Sequence, residues 1–295
     1  MTINKNNNID DIEIINVSVN TADNFKLSVS QFIPSNEIKG AILIASATAV
    51  KRQHYDHFSK FLSQHGYVVL CFDYRGIGGS LHDNLKSLQA NVRDWGEQDL
   101  NAMINWAKST YNNYPLHFIG HSIGGQLLAL SKDNNKLTSV LHCSVQSGYW
   151  KLWQGFERYK LFFLWHILVP ILTKTLRYFP SKRLGVGEDL PSGIIYEWAS
   201  WCRDPEYMFG KHAPESIVYL KQISSPVRSY SFEGDNLAPK TCVDFIANRY
   251  NCNVERIHIN PKDFNLKKIG HFDIFRPKME STLWAEFLTW INNNN

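Results

Sequence analysis

The pentapeptide Gly120-His121-Ser122-Ile123-Gly124 lies between an apolar strand-like run, residues 116–119, and a helix-like run, residues 125–130. By itself a Gly-x-Ser-x-Gly pattern arises by chance in roughly one chain in ten of this length. The flanking runs make it informative. A serine between glycines at a strand-to-helix junction implies a sharp, strained turn, and the glycines let neighbouring backbone approach without a Cβ clash. The hydroxyl then projects at the carboxyl end of the strand. The helix dipole behind it favours developing negative charge. A turn of this kind belongs to a layered α/β architecture.

The remaining pattern agrees. Runs 12–19 and 26–32 read as strands joined through Thr21-Ala22-Asp23-Asn24. Strand-like runs at 40–45, 67–72, 116–119 and 139–145 then alternate with helix-like runs at 53–64, 95–108 and 125–130. Continuous apolar strands in such alternation indicate a mostly parallel sheet covered by helices on both faces. The alternation stops near residue 147 and resumes near 213, with strands at 227–232 and 254–259 and helices at 241–249 and 279–291. Between them lie Trp150, Trp153, Trp165, Trp198 and Trp201, in helix-like runs broken by Pro170, Pro180 and Pro191. The expected organisation is an α/β core over 1–146 and 213–295, interrupted by a helical cap insertion over 147–212.

Composition excludes several classes. With 295 residues, 44% hydrophobic and 13% aromatic, the chain can bury a sizeable core. The net charge of +4 is spread thinly, with no dense Lys/Arg cluster, so nucleic acid is not an expected partner. The five cysteines are odd in number and lack Cys-x-x-Cys spacing, which suits a reducing compartment. The histidines form no ligand-like cluster, so neither a metal nor a cofactor is expected. The start, Met-Thr-Ile-Asn-Lys, has no apolar leader. The most apolar stretch, 161–172, reads as too short to span a bilayer and as interrupted by Pro170. A cytoplasmic protein without stable membrane insertion is the expectation. A membrane-surface role for 161–172 survives only if that stretch is not buried against the sheet. The Asn-rich ends, Asn6 to Asn8 and Asn292 to Asn295, read as frayed.

A serine nucleophile needs a base, and the base needs an orienting acid. Of the eleven histidines, only His271 follows the last predicted strand, in Ile269-Gly270-His271-Phe272. His258 lies within a strand and reads as structural, and the His121 side chain should point away from the Ser122 hydroxyl. The strand 227–232 leads into Glu233-Gly234-Asp235-Asn236. Asp235, after the turn-forming Gly234, is the preferred acid and Glu233 the reserve. The expected order Ser122, Asp235, His271 follows the order in which this fold places its triad. A tetrahedral oxyanion needs two backbone donors. The Ile123 amide is one, and Thr48, in the Ser46-Ala47-Thr48-Ala49 loop, is the choice for the other. The loop Asp73-Tyr74-Arg75-Gly76-Ile77-Gly78-Gly79-Ser80 matches no phosphate-binding pattern and reads as a tight structural turn. Trp95 and Asp99 read as packing and capping residues.

These motifs resemble the α/β-hydrolase superfamily, in particular its serine-aminopeptidase-like and monoacylglycerol-lipase-like branch. The resemblance rests on Asp73-Tyr74-Arg75-Gly76-x-Gly78-x-Ser80, Gly120-His121-Ser122-x-Gly124-Gly125, Gly234-Asp235 and Gly270-His271. A bacterial group of predicted hydrolases is similar further, at Ala45-Ser46-Ala47-Thr48-Ala49-Val50, Gly148-Tyr149-Trp150, Gly185-Val186-Gly187-Glu188-Asp189-Leu190-Pro191, Trp198-Ala199-x-Trp201-Cys202 and Ile269-Gly270-His271-Phe272. The resemblance implies the fold, the triad and a variable cap. It does not imply a substrate, and a peptidase label would not imply peptidase activity.

The function expected from these readings is hydrolysis of a carboxylic ester or thioester of a small apolar substrate, acyl or aromatic. Esters need less leaving-group activation than amides. Two other readings stay open: a ligand-binding protein with an unused triad, and acyl transfer or amide cleavage on the same triad.

Overall fold

The computed structural model describes residues 12–295. The Asn6 to Asn8 run and the opening residues Met1 to Lys5 lie outside the described residues. Eight strands form one sheet: β1 (Ile12–Asn20), β2 (Lys26–Pro34), β3 (Gly40–Ala45), β4 (Tyr67–Phe72), β5 (Leu116–His121), β6 (Ser139–Cys143), and, later in the chain, β9 (Val227–Phe232) and β10 (Val254–Ile259). A short antiparallel ribbon, β7 (Tyr178–Phe179) with β8 (Leu190–Pro191), stands apart from it. The sheet order is β1-β2-β4-β3-β5-β6-β9-β10. β2 runs antiparallel to both its neighbours, and all the other pairs are parallel.

Burial explains the composition of each strand. Every residue of β3, β4, β5 and β6 is buried, so Ala-Ile-Leu-Ile and Tyr-Val-Val-Leu-Cys-Phe present apolar side chains to both faces. Successive side chains point to opposite faces. Ala41 and Leu43 accordingly join one core cluster with Trp95 and Met103, while Ile42 and Ile44 join the other with Phe58 and Trp284. The edge strands β1 and β10 are only partly buried and carry Glu13, Glu255 and Arg256. Charges on an edge discourage pairing with another chain.

Because the central strands are parallel, their carboxyl ends share one rim of the sheet. The loop 46–50 leaves β3 there, Ser122 follows β5, Ser144 to Gln146 follow β6, and Glu233 to Asp235 follow β9. This rim is where open α/β sheets place ligands.

Between β6 and β9 the chain leaves the sheet. It forms helices Gly155–Phe163, Val169–Leu176, Ser192–Cys202 and Glu215–Lys221, with the ribbon between the second and third. Two sequence expectations fail here. Pro170 does not break the helix: a π-helical turn, Leu164–Leu168, carries the axis into Val169–Leu176, giving one continuous run of 22 residues, Gly155–Leu176. Proline lacks an N–H and its ring clashes with the carbonyl four residues back. A wider π turn just before it relieves that clash. Nor is the 161–172 stretch short in its setting, since the whole 22-residue helix is long and apolar enough to cross a bilayer by length and composition.

The C-terminal Asn run is also anchored rather than frayed. The Tyr67 hydroxyl donates to Asn292 Oδ1 at 2.7 Å, Asn295 Oδ1 lies 3.2 Å from His117 Nε2, and Asn294 Nδ2 donates to the Trp290 carbonyl at 2.7 Å. Short amides at a helix end can satisfy buried partners that a longer side chain would overshoot.

Candidate active site

Ser122 sits at the turn between β5 and the helix Ile123–Gln126, with φ 54° and ψ −124°. A non-glycine residue there stores strain of order 1–3 kcal/mol. Surrounding contacts hold it: Ser122 N–H donates to the Cys143 carbonyl at 3.0 Å, and Gly125 N–H donates to the Ser122 carbonyl at 3.1 Å. The glycine spacing has a direct steric cause. A Cβ on Gly124 would lie 2.2 Å from the Ala45 carbonyl oxygen, and one on Gly120 would lie 2.4 Å from Gly125 Cα. The elbow therefore packs against the end of β3. Ser122 is buried, at 5% exposure.

Asp235 and His271 are brought together. His271 Nδ1 lies 2.9 Å from Asp235 Oδ2, and both side chains are almost wholly buried. The same carboxylate accepts from Ser144 Oγ at 2.8 Å and from the amides of Leu237 at 3.0 Å and Ala238 at 3.2 Å. Burial alone would push the Asp235 carboxyl up. The hydrogen bonds from His271, Ser144 and Leu237, with the attraction of His271, outweigh it and hold the group below the usual carboxylate range. Such a carboxylate stays ionised and fixes the imidazole with Nδ1 as donor. Glu233 is turned outward, with its side chain 66% exposed, and pairs with His258 at 3.0 Å. His258 Nδ1 is also 2.8 Å from Ser231 Oγ.

His121 joins these parts. Its Nε2 lies 3.0 Å from the His271 carbonyl oxygen, which can only accept, so Nε2 carries the proton. Its Nδ1 then accepts from the Tyr55 hydroxyl at 2.8 Å, and the Tyr55 oxygen accepts from the Ala47 amide at 2.9 Å. Burial, reinforced by the nearby His271 and His54, pushes the His121 pKa well down, so this ring is neutral. The chain Ala47–Tyr55–His121–His271 thus ties the loop after β3 to the backbone of His271. His121 does point away from the hydroxyl, toward a partner that the sequence does not identify.

Ile123 is the first residue of its helix, where an amide has no intrahelical acceptor. Thr48 lies in the loop packed beside the elbow. Its Oγ1 is buried without a hydrogen-bond partner, as is Ser46 Oγ. The Ala47 amide is committed to Tyr55. Ala49, at φ 61°, aims its carbonyl at the segment between β6 and β9, where the Glu188 amide donates to it at 2.7 Å.

Among the described residues the Ser122 hydroxyl hydrogen-bonds to Gln146 and not to His271. Both ends of the Gln146 carboxamide lie 3.3 Å from Ser122 Oγ. Nucleophile-to-base hydrogen bonds are often loose without substrate. Sequence reasoning misses Gln146, Ser144 and Tyr55. Gln146 and Ser144 carry one usable signal, since they directly follow a parallel strand on the rim that bears Ser122.

The structural loop 73–80 is built around carboxylates. Asp99 accepts from Arg75 Nε at 2.7 Å and from the Arg75 amide at 2.9 Å, and Trp95 Nε1 donates to the Arg75 carbonyl at 3.0 Å. Asp73 accepts from the amides of Arg52 and Gly79. Neither group reaches Ser122. Two surface cavities are also present: one of about 850 Å³ between residues 18–22 and 97–109, away from Ser122, and one of about 420 Å³ lined by Asp235 with Trp153, Glu233 and His258.

Comparison with known proteins bears on the fold. Residues 36–149 match the family model of the serine aminopeptidases, S33. No curated protein sequence matches the chain. Similar solved structures include a soluble variant of monoglyceride lipase from Saccharomyces cerevisiae, with a TM-score of 0.67 at 14% identity, covering 97% of this chain and 95% of that one. An α/β hydrolase from a Penicillium species has a TM-score of 0.65 at 16% identity, over 94% and 98% of the two chains. An esterase from Pyrococcus furiosus has a TM-score of 0.59 at 18% identity, over 96% and 90%. The sheet order, the elbow at Ser122 and these likenesses together make this chain an α/β-hydrolase-fold protein.

Proposed function

We propose that this protein is a serine hydrolase that cleaves a carboxylic ester or thioester of a small apolar substrate through an acyl-enzyme. The observation that carries the reading is the buried Asp235–His271 pair together with a serine on a strained, positive-φ elbow at the same rim of the sheet as Asp235. Ser122 Oγ attacks the substrate carbonyl while its proton passes to His271 Nε2. The oxyanion is held by the amides of Ile123 and Thr48. On collapse the C–O or C–S bond breaks, and the leaving group takes the proton from His271. Water repeats the sequence, releasing the acid and restoring Ser122. Asp235 stays ionised and stabilises the imidazolium. Residues 147–212 act as a cap that keeps solvent from the acyl-enzyme. The esterase and monoglyceride lipase among the similar folds favour an ester over an amide.

The test treats wild-type and Ser122→Ala protein with a fluorophosphonate and maps the adduct by mass. In parallel, p-nitrophenyl esters of increasing chain length are assayed. A single adduct on Ser122, with turnover lost in the variant, is expected. A folded protein that gives neither adduct nor turnover would support the rival reading, a ligand-binding protein.

A further inference from the structure

The helix Gly155–Leu176 has two unlike faces. Trp165, Val169 and Thr173 are buried against the body of the protein, and Trp165 and Val169 belong to the main core cluster. The opposite face carries Phe156, Tyr159, Phe163, Ile167 and Ile171, at 73%, 64%, 52%, 39% and 54% exposure. Their spacing of three and four residues places them in one stripe. A contiguous exposed stripe of large apolar side chains marks an interaction surface.

Charge identifies what the stripe meets. Between residues 151 and 183 there are seven Lys/Arg and one acidic residue, Glu157. This stretch carries a net +6 in a chain whose total is +4. Lys151, Lys160, Lys174, Arg177, Lys182 and Arg183 are all exposed, Lys160 pairing with Glu157 at 2.6 Å and Lys182 with Glu188 at 2.8 Å. A symmetric contact between two copies would set this positive stretch against itself. An anionic lipid surface complements it. The long stems of Lys160 and Lys174 can lie along the apolar stripe while their ammonium groups reach phosphate.

We infer that the outer face of helix Gly155–Leu176 docks the protein on an anionic membrane surface. The helix lies in the interface and does not span, because a spanning pose would strip Trp165 and Val169 from the core. Docking sets the segment between β6 and β9 against the lipid surface, where apolar substrates concentrate.

Vesicle co-sedimentation tests this, using phosphatidylcholine alone and phosphatidylcholine with about one part in three phosphatidylglycerol. At about 0.1 M salt, where surface charges still act over roughly 10 Å, the mixed vesicles should bind at least about ten-fold more protein. Phe163→Ser with Ile167→Ser should abolish binding to both, with the circular dichroism spectrum unchanged. Lys160→Glu with Lys174→Glu should remove the preference for anionic vesicles. Failure of folded wild-type protein to bind either vesicle at low salt would overturn the inference. So would a dimer in sedimentation analysis that the Phe163→Ser, Ile167→Ser variant dissociates, because the stripe would then be a self-interface.

A separate observation concerns Gln146 and rests on the hydrolase reading. Trp198 Nε1 donates to the Tyr207 hydroxyl at 2.7 Å, Tyr207 donates to Gln126 Oε1 at 2.6 Å, and Gln126 Nε2 donates to the Gln146 carbonyl at 2.6 Å. This relay fixes Gln146, itself 6% exposed, with its carboxamide against Ser122 Oγ. Acylation turns Oγ into an ester oxygen, which cannot donate and accepts poorly. The buried carboxamide then needs another partner. The geometry assigns Gln146 as a specificity residue for a hydroxyl or second carbonyl within a few bonds of the scissile carbonyl. The test compares p-nitrophenyl butyrate with its 3-hydroxy analogue, in wild type and Gln146→Leu. Wild type should favour the hydroxylated ester in kcat/KM by at least about ten-fold, and the variant should lose that preference. Equal ratios in both proteins, with Ser122 still labelled by fluorophosphonate, would refute the assignment. Absence of labelling in wild type would instead remove the hydrolase reading, and this assignment with it.

Discussion

The segment between β6 and β9 divides into an outer half, the helix Gly155–Leu176, and an inner half from Tyr178 to Phe209. Both are rich in aromatic and aliphatic residues, yet they end in opposite environments. In the inner half, Trp201 and Tyr207 are fully buried, and Tyr207 reaches Gln126 in the helix after Ser122. Gly187 and Glu188 clasp the Ala49 carbonyl, and Pro191 packs over Gly76. In the outer half, Phe156 and Tyr159 face solvent. Composition does not separate the two. The inner half lies over the loops that follow β3, β4 and β5, whose backbone groups and apolar side chains it can satisfy. The outer helix has one stripe on the body and one turned away from it. The inner half therefore holds the rim in place, while the outer half offers a surface.

Substitutions can break this division, beginning beneath the inner half. Asp235→Asn should leave the fold intact and lower kcat on p-nitrophenyl esters by about 10⁴-fold, as expected when the orienting acid of a triad is lost. Near-wild-type turnover would remove Asp235 from the chemistry. Trp201→Ala should cost about 3–5 kcal/mol in urea unfolding, because it empties a large buried site. Gly187→Ala should be destabilising by about 1–3 kcal/mol. Its φ is 65°, and a Cβ there would lie 2.2 Å from the Ala49 carbonyl oxygen. If the clasp positions the Thr48 loop, kcat should fall in this variant while stability is still adequate. Phe163→Ala, in the outer half, should change stability by no more than about 0.5 kcal/mol in aqueous buffer. A large loss would mean that the outer face packs against something within the molecule.

Acid sensitivity gives a further contrast, located at the loop after β4. Asp23 pairs with Arg75 at 2.7 Å. The hydrogen bond from Arg75 outweighs partial burial and lowers its pKa from 3.8 to about 2. A depressed carboxyl contributes stability that is complete above its unfolded pKa and is lost as pH falls through its folded one. The contribution should therefore fade between pH 3.8 and about 2. Asp23→Asn should flatten the stability curve across that window, with an effect at neutral pH of no more than about 1 kcal/mol. An unchanged acid limb would show that the pair adds nothing to folding.

Much of the architecture is legible in the order of the amino acids. The central strands announce themselves as short apolar runs because both of their faces are buried. The turn at Ser122 is legible because its glycines are forced by sterics: a Cβ on Gly124 would lie 2.2 Å from the Ala45 carbonyl oxygen. Asp235 and His271 can be chosen by their order along the chain. The supports of the site are not legible in this way. Ser144 meets Asp235 across 91 residues, and Tyr55 meets His121 across 66. No local pattern marks a serine or a tyrosine as the partner of so distant a group. The run through Pro170 escapes the sequence rule because a single helical period ignores the π turn that relieves the proline. The anchored C-terminal asparagines escape it because composition cannot reveal that Tyr67 and His117 lie within reach.

The sequence by itself determined the layered sheet, the elbow and the chain order of the three polar residues. The first two are local patterns, short continuous apolar runs, a period near four and a glycine spacing imposed by sterics, and the third is an order along the chain. The tertiary structure alone decided which groups support Asp235 and His271, what the Ser122 hydroxyl meets, and which face of the apolar helix stays in water. Those outcomes depend on pairing across long separations and on how much surface neighbouring elements can cover. Hydrophobicity drives apolar residues toward burial, and only the packed neighbours determine whether there is a surface to receive them.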